Sequence, residues 1–234
     1  MEEYSVTISN IEKKGRVRLY HLLFKKGVIF HFLPGQFVIV DYADAKGEFK
    51  RSYSIASDPE HKNFLELCIS LTKDGRGSKI LSKIKIGDRL KISGPFGVFH
   101  LEISNNQDII LIAGGTGISP LRSMLKHLLD IGFLGKITLF YSFKAESDYL
   151  FRNELEELAK KNPNFTLIPT STSPGKEWKG ETAYVQDIFK KYVKNAEKKE
   201  VYCCGPVIMV DHVFAYLEKF GFKEQQLHRE VWGH

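Results

Sequence analysis

Three short stretches bring together residue types that could do chemistry. "VYCCGP" (201–206) ends an apolar run in two cysteines and Gly-Pro, "IAGGTGISP" (112–120) sets three glycines before Ser and Pro, and "RSYSIAS" (51–57) alternates arginine and tyrosine with serines. A disulfide between Cys203 and Cys204 would close a strained eight-membered ring. Cys68 is the only other cysteine, so no disulfide framework is expected. Zinc needs four ligands at recognisable spacing, and no C-x-x-C or H-x-x-x-H accompanies the pair, so no metal is expected. Neighbouring strand residues face opposite ways. Cys203 therefore reads as a small apolar core residue, while Cys204, last before Gly-Pro, faces elsewhere.

The glycine stretch reads as strand, turn and helix. Gly114, Gly115 and Gly117 let the backbone bend and let a ligand approach it. Ser119 and Pro120 suit a helix start, whose outward N–H groups and dipole suit a pyrophosphate. The pattern is G-x-G-x-x-P in place of G-x-G-x-x-G, and no G-K-[ST] follows, which excludes a Walker-type loop. A nucleotide site and a sharp turn with no ligand both stay open. On "RSYSIAS", Arg51, Tyr53 and Ile55 share one strand face and Ser52, Ser54 and Ala56 the other. An arginine pairs with phosphate and a tyrosine offers a flat ring to a planar cofactor, although an exposed strand face would look the same. "DGRGSKIL" (74–81) places Gly75 and Ser78 before a helical turn, either a small anion nest or an ordinary loop.

The elements that position these residues fall into two halves. Up to about residue 104, "YSVTISNIE", "VRLYHLLF", "QFVIVDY", "RSYSIAS", "FLELCISL" and "DRLKISG" read as short strands, with one helical turn at "SKILSKI". This predicts an antiparallel β-barrel over 1–104. From 105 to 234, the apolar strands "DIILIA", "KITLFYS", "FTLIPT" and "EVYCC" alternate with "SPLRSMLKHLLDIG", "SDYLFRNELEELAKKN" and "YVQDIFKKYVKN", each apolar at helical spacing. A last helix, "VIMVDHVFAYLEKFG", leads to a strand at "QLHREVW". That grammar predicts an α/β domain with a doubly wound parallel sheet. The 234 residues are 43% hydrophobic and 26% charged, as in a globular protein. No run approaches the roughly 20 apolar residues of a membrane helix, and the amino terminus is acidic and polar, so a cytoplasmic location without membrane insertion is expected. The 34 Lys and Arg against 28 Asp and Glu give +6. These charges are dispersed and form no nucleic-acid module.

Six motifs in order, "PGQF" (34–37), "RSYSIAS", "GRGS" (75–78), "GPFG" (94–97), "GGTGISP" and "CCGP", resemble those of the ferredoxin-NAD(P) reductase superfamily over nearly the whole chain. The resemblance implies a flavin domain followed by a nucleotide domain. It implies FAD as cofactor, with Arg51 on its phosphate, Tyr53 on the isoalloxazine, Ser54 near flavin N5, and Gly75, Gly77 and Ser78 as the pyrophosphate nest. Ser52 and the strand residues Cys68, Ile69 and Ser70 are implied in the same pocket. Gly115, Thr116 and Gly117 would receive NADH or NADPH, with Gly205 and Pro206 beside them and Cys204 next to the nicotinamide C4. "REVWGH" resembles terminal segments in which an acidic residue relays a proton and an aromatic caps the flavin, which nominates Glu230 and Trp232. Trp232 as plain packing of the last strand stays equally open. Ser54, Cys204 and Glu230 are the implied catalytic residues.

The implied function is an FAD-containing reductase carrying hydride from NAD(P)H to flavin and electrons to a separate, acidic carrier such as ferredoxin, flavodoxin or an oxygenase component. Three dispersed cysteines cannot build a four-cysteine cluster. Two alternatives stand: a free-flavin reductase, against which "GRGS" argues, and a non-catalytic nucleotide-binding subunit. Nucleotide choice is open at "YSFK" (141–144), which lacks the acidic residue that grips a ribose. Ser142 and Lys144 could accommodate a 2′-phosphate, but Ser171 stands where related reductases often have arginine. NADH is expected, with NADPH tolerated.

Overall fold

The computed structural model describes residues 2–103 and 107–232. The chain divides into two units, one of Met1–Leu101 with Arg122–His127, the other of Glu102–Leu121 with Leu128–His234. The expected boundary at 104/105 lies outside the described residues.

In the first unit six strands, β1 (Glu3–Lys14), β2 (Val17–Leu23), β3 (Phe37–Asp44), β4 (Gly47–Ser54), β5 (Phe64–Ser70) and β6 (Arg89–Phe96), pair antiparallel in the order β4-β3-β6-β1-β2-β5. The two end strands meet through a bridge between Ile55 and Leu67 and through the Ala56 N–H, which donates to the Glu66 carbonyl at 2.8 Å. The sheet thereby closes into a barrel and leaves few open edges. Alternation supplies its core: Val6 and Ile8, Tyr20 and Leu22, Val38 and Val40, Leu65 and Leu67, and Ile92 all point inward, joined by Phe30. The helix α1 (Arg76–Leu81) is six residues long and starts earlier than the sequence pattern suggests. It is pinned where the buried Tyr20 hydroxyl donates to the Leu81 carbonyl at 2.8 Å.

In the second unit five strands, β7 (Asp108–Gly114), β8 (Ile137–Phe143), β9 (Phe165–Ser171), β10 (Lys199–Pro206) and β11 (Leu227–Trp232), form a wholly parallel sheet in the order β11-β10-β7-β8-β9. Between them in sequence run α2 (Ile118–Asp130), of which Arg122–His127 is counted with the first unit, α3 (Arg152–Lys161), α4 (Val185–Tyr192) and α5 (Val207–Phe220). Ile110, Ile112, Phe140, Ile168, Val201 and Cys203 pack on one sheet face against Val185, Ile188 and Phe189 of α4 and Val210, Val213 and Leu217 of α5. The residues between them in sequence, including Leu111, Ala113, Leu139 and Cys204, are buried on the opposite face. On α2 the stripe Leu121, Met124, Leu125 and Leu128 is fully buried, as its helical spacing requires.

One predicted helix is shorter than its pattern. "SDYLFRNELEELAKKN" yields α3 only from Arg152, after a separate turn over Glu146–Asp148. Tyr149 and Leu150 are drawn into the core instead, with the Tyr149 ring stacked on Phe143 at 4.7 Å, and Phe151 takes a left-handed φ of 54° to restart the chain. Burial of these rings outweighs the helical periodicity.

Candidate functional site

On the barrel, Arg51 and Tyr53 project from β4 on the face shared with their β3 partners Val40 and Val38, while Ser52 and Ser54 pair with Ile39 and Phe37 on the other face. Tyr53 is half-buried, and its hydroxyl accepts from that of Tyr42 at 3.2 Å. Burial raises the phenol of Tyr53 above its ordinary value. Gly77 of α1 closes over this pair: a Cβ there would stand 3.1 Å from Tyr53 Oη and 3.7 Å from Arg51 Cγ. At Gly75 a Cβ would stand 2.4 Å from Thr72 Oγ1 and 2.9 Å from Ser78 Oγ. The Thr72 N–H donates to Ser78 Oγ at 3.0 Å, so this serine folds the loop back on itself. The stretch 75–78 thus forms a tight turn that packs on Arg51 and Tyr53 at Gly77 and on Thr72 and Ser78 at Gly75.

Charge at this cradle is partitioned. Arg51 and Arg76 both lie over the Phe49 ring, at 5.2 and 4.0 Å. Arg76 is neutralised by Asp44 through bonds of 2.6 and 2.9 Å, and that bonding with the guanidinium lowers the Asp44 carboxyl to about 2. Arg51 donates to the Lys50 carbonyl at 2.7 Å and makes no ion pair among the described residues. Its charge is available to an anion. On β5, Cys68 is buried, Ser70 is half-buried, and Ile69 belongs to the barrel core.

In the second unit the strand order reverses between β7 and β10, and the predicted nucleotide residues converge at the carboxyl ends of these two strands. A Cβ at Gly117 would lie 2.2 Å from the Cys204 carbonyl oxygen, and one at Gly114 would lie 2.4 Å from Met209 Sδ and 3.0 Å from Pro206 Cδ. Gly205 would meet Gly114 at 3.2 Å. Two main chains and the start of α5 share this space, so Gly117 meets backbone that cannot yield, while Gly114 and Gly205 pack tightly against Met209 and each other. Gly115–Gly117 forms a single 3-10 turn before α2, and no side chain caps it at Gly114 or caps α5 at Pro206. Ser119 does not cap either: its hydroxyl donates to the Thr116 carbonyl at 2.8 Å. Helix starts at a topological switch point concentrate N–H groups and positive potential, which suits a pyrophosphate.

Cys204 is 1% exposed and pairs in register with Glu230, and its Sγ lies 4.0 Å from Glu230 Oε2. Burial first, and then the Glu230 charge, push the thiol well above its ordinary value. Trp232 pairs in register with Pro206, and its ring would contact a Cβ at Gly115 at 3.9 Å. Ser142 and Lys144 stand at the end of β8 beside Gly114. Ser171, considered above for its place in nucleotide choice, donates to the Lys144 carbonyl at 2.8 Å and ties β9 to β8. Of the carboxylates in the segment after β8, Glu146 is engaged by Arg152 and Asp148 by the Ala145 N–H. Among the described residues no three His, Cys, Asp or Glu side chains cluster to hold a metal.

Residues 7–101 match the oxidoreductase FAD-binding domain family and residues 111–214 the oxidoreductase NAD-binding domain family. The chain is 35% identical over 221 residues to the gamma subunit of sulfhydrogenase 2 from Pyrococcus furiosus, covering 88% of this chain and 75% of that one. It belongs to the ferredoxin-NAD(P) reductase superfamily. It is also 34% identical over 203 residues to the phenol hydroxylase P5 protein of Acinetobacter pittii, covering 85% of this chain and 57% of the relative. The chain spans 57% to 62% of the length of the phenol hydroxylase and glycine betaine monooxygenase reductases that it matches. A ferredoxin NADP+ reductase from Neisseria gonorrhoeae, solved with bound FAD and NADP, shares the fold at a TM-score of 0.85 and 19% identity, over 99% of both chains.

Within this superfamily framework, sequence reasoning missed Met209, whose thioether packs between Gly114 and Gly205, and the cluster of Phe143, Tyr149 and Trp178. Met209 follows the "CCGP" motif at one helical turn, a spacing that could have nominated it. The cluster joins the end of β8 to residues from two separate loops, and no local pattern announces it. It also missed an open cavity of about 510 Å³ beside α1, which Arg76, Lys79 and Lys83 line at helical spacing.

None of the three cysteines is in a disulfide, and all are buried. Thiol titration of the native protein at pH 8 is expected to find no reactive group, and unfolding in denaturant to release three, because protonated, enclosed thiols are poor nucleophiles. Gly117→Ala should destabilise the protein by about 1–3 kcal/mol, since its Cβ meets backbone that cannot yield as a side chain can. Denaturant unfolding measures this.

Proposed function

We propose that this chain is an NAD(P)H-dependent flavoprotein reductase that moves a hydride from NAD(P)H to bound FAD and passes electrons to a separate carrier or oxygenase component. The observation that carries this reading is the pair of glycine cradles, one against Arg51 and Tyr53 on the barrel and one between β7 and β10 on the parallel sheet, in a chain whose halves match FAD-binding and NAD-binding families. Relatives include the reductase component of phenol 2-monooxygenase from a Pseudomonas species and a ferredoxin-NADP reductase from Sorangium cellulosum, which supports the same outlet for electrons.

The barrel residues fit FAD because the turn at 75–78 packs closely on Arg51 and Tyr53 at Gly77, beside an arginine that makes no ion pair among the described residues. Arg51 would hold its phosphate, Gly75, Gly77 and Ser78 the pyrophosphate, Tyr53 the ring face and Ser54 the ring edge, with Ser52, Cys68 and Ser70 alongside and Ile69 contributing backbone. Bound FAD supplies an acceptor for a two-electron hydride and a store that releases electrons singly. On the second unit, Gly115, Thr116 and Gly117 would bind the nucleotide pyrophosphate, and Gly205 and Pro206 would bound the crevice. Cys204, held neutral, would wall the nicotinamide and keep water from it, while Glu230 exchanges a proton with solvent. Trp232 would cover the ring. Ser142 and Lys144 leave room for a 2′-phosphate without a second cation that would demand one, so either nucleotide should serve. The +6 balance would draw an acidic carrier, and the buried cysteines, none in a disulfide, suit a reducing cytoplasm. A free-flavin reductase is the less supported reading, because a substrate flavin has no use for the second cradle at 75–78.

Arg51→Ala should lower FAD affinity about tenfold, as loss of a charge-assisted phosphate contact does. Flavin absorbance of the protein after gel filtration measures it, and unchanged content would refute the role of Arg51. Cys204→Ala should keep its flavin yet slow anaerobic reduction by NAD(P)H roughly tenfold in stopped flow, since the lost wall alters donor alignment. A rate equal to the native one would return this thiol to the core.

A further inference from the structure

The turn Gly115–Gly117 can offer its N–H groups outward only if its carbonyls are turned inward and satisfied. Gly115 is the critical residue, because its φ of +54° sets the direction of the whole turn. Its carbonyl receives the Ile118 N–H, which begins α2, and a second bond from outside the turn: the Tyr141 hydroxyl donates to it at 3.1 Å. Tyr141 belongs to β8, directly opposite Ala113 of β7, where a methyl leaves room for a phenol ring to reach past the strand end. The ring is fully buried and boxed edge-on by Phe143 at 5.4 Å and Tyr149 at 5.6 Å.

The same hydroxyl accepts the Leu150 N–H at 3.4 Å, which orients its lone pair and leaves its proton for Gly115. One buried oxygen thus joins the turn after β7 to the segment after β8. In a doubly wound sheet these are the places that meet the pyrophosphate and the adenosine half of a dinucleotide. A hydroxyl buried among aromatic rings is costly unless paired, and the two bonds above join it to main-chain groups of those two segments.

We propose that Tyr141 is a positioning residue for the pyridine nucleotide, holding the Gly115 carbonyl inward so that the N–H groups of Thr116 and Gly117 face the pyrophosphate. This rests on the reading of the turn as the nucleotide site. Tyr141 touches no substrate; it acts through Gly115 and, by way of Leu150, fixes the neighbouring segment in the same register.

Tyr141→Phe removes the hydroxyl and keeps the ring. On the FAD-loaded protein, calorimetric titration with ADP-ribose, which carries the pyrophosphate and cannot react, should show Kd raised about five- to tenfold, in line with one lost hydrogen bond and a loosened turn. The NAD(P)H concentration for half-maximal flavin reduction should rise by the same factor, with the limiting rate within twofold and the flavin content unchanged. A merely structural role would lower the melting temperature and the limiting rate without this split, and would overturn the proposal. Incorporation of 4-aminophenylalanine at 141, which restores a donor at the same point, should recover the native Kd. If Tyr141→Phe fails to fold, 4-fluorophenylalanine, which fills the volume without donating, takes its place with the same outcomes. Equal ADP-ribose affinity in variant and native protein would overturn the proposal and leave the nucleotide site standing. Native protein that neither binds ADP-ribose nor is reduced by NAD(P)H would overturn both.

Discussion

Gly117 stands where even a methyl group would overlap the Cys204 carbonyl, 2.2 Å from its oxygen, and much of the second unit follows from that approach. Parallel strands β7 and β10 must end level and side by side for the contact to occur, so the connection leaving β7 turns toward β8 while that leaving β10 turns toward β11. The reversal of strand order is thereby fixed at this pair. Both outgoing helices begin within a few residues of the contact, α2 after one 3-10 turn and α5 directly after Pro206. Their first N–H groups cannot be capped by side chains there, because glycine and proline occupy the capping positions. Uncapped helix-start N–H groups of this kind suit the phosphate oxygens of the proposed nucleotide.

The barrel solves a related problem with side chains. A helix as short as α1 has little stability of its own. It is held because Leu81 enters the core, Tyr20 bonds its last carbonyl, and Gly77 lets it settle on Tyr53. Two guanidiniums then share the Phe49 ring, and Asp44 satisfies only Arg76. Had Asp44 paired with Arg51 instead, the unpaired positive charge would sit on Arg76 of the turn and not on β4. A carboxylate on the β3–β4 hairpin thus selects which arginine remains available to an anion.

Most of the architecture was legible because it rests on period. Alternation over β1 to β6 and helical spacing over α2, α4 and α5 follow from one buried face each, and local sequence records that face directly. The candidate site was proposed from motifs in which chemistry demands a residue type at fixed spacing, "GGTGISP" and "RSYS", and the structure places the first at the ends of β7 and β10 and the second on β4. What stayed hidden depends on tertiary contact. The start of α3 moved to Arg152 because Tyr149 and Leu150 find partners on β8, which lies outside any local window. Ser119 reads as a cap and instead donates to Thr116, and Ser171 reads as a vacancy for arginine and instead braces Lys144. A hydroxyl's partner is set by neighbours that arrive only on folding.

The adjacent cysteines show how far parity alone can carry a reading. Cys203 lies among Val201, Ile112 and the apolar faces of α4 and α5, where burial alone keeps its thiol protonated. One residue on, the strand turns the Cys204 side chain to the opposite face, where β11 presents Glu230 in register. The same strand therefore supplies a core residue and a candidate site residue without any change in backbone. A neutral thiol beside a carboxylate is a poor nucleophile and carries no charge into the crevice. Its contribution to the proposed reaction must then lie in shape and in its contact with Glu230, which leaves the electron chemistry to the cofactor and the alignment of the donor to the protein.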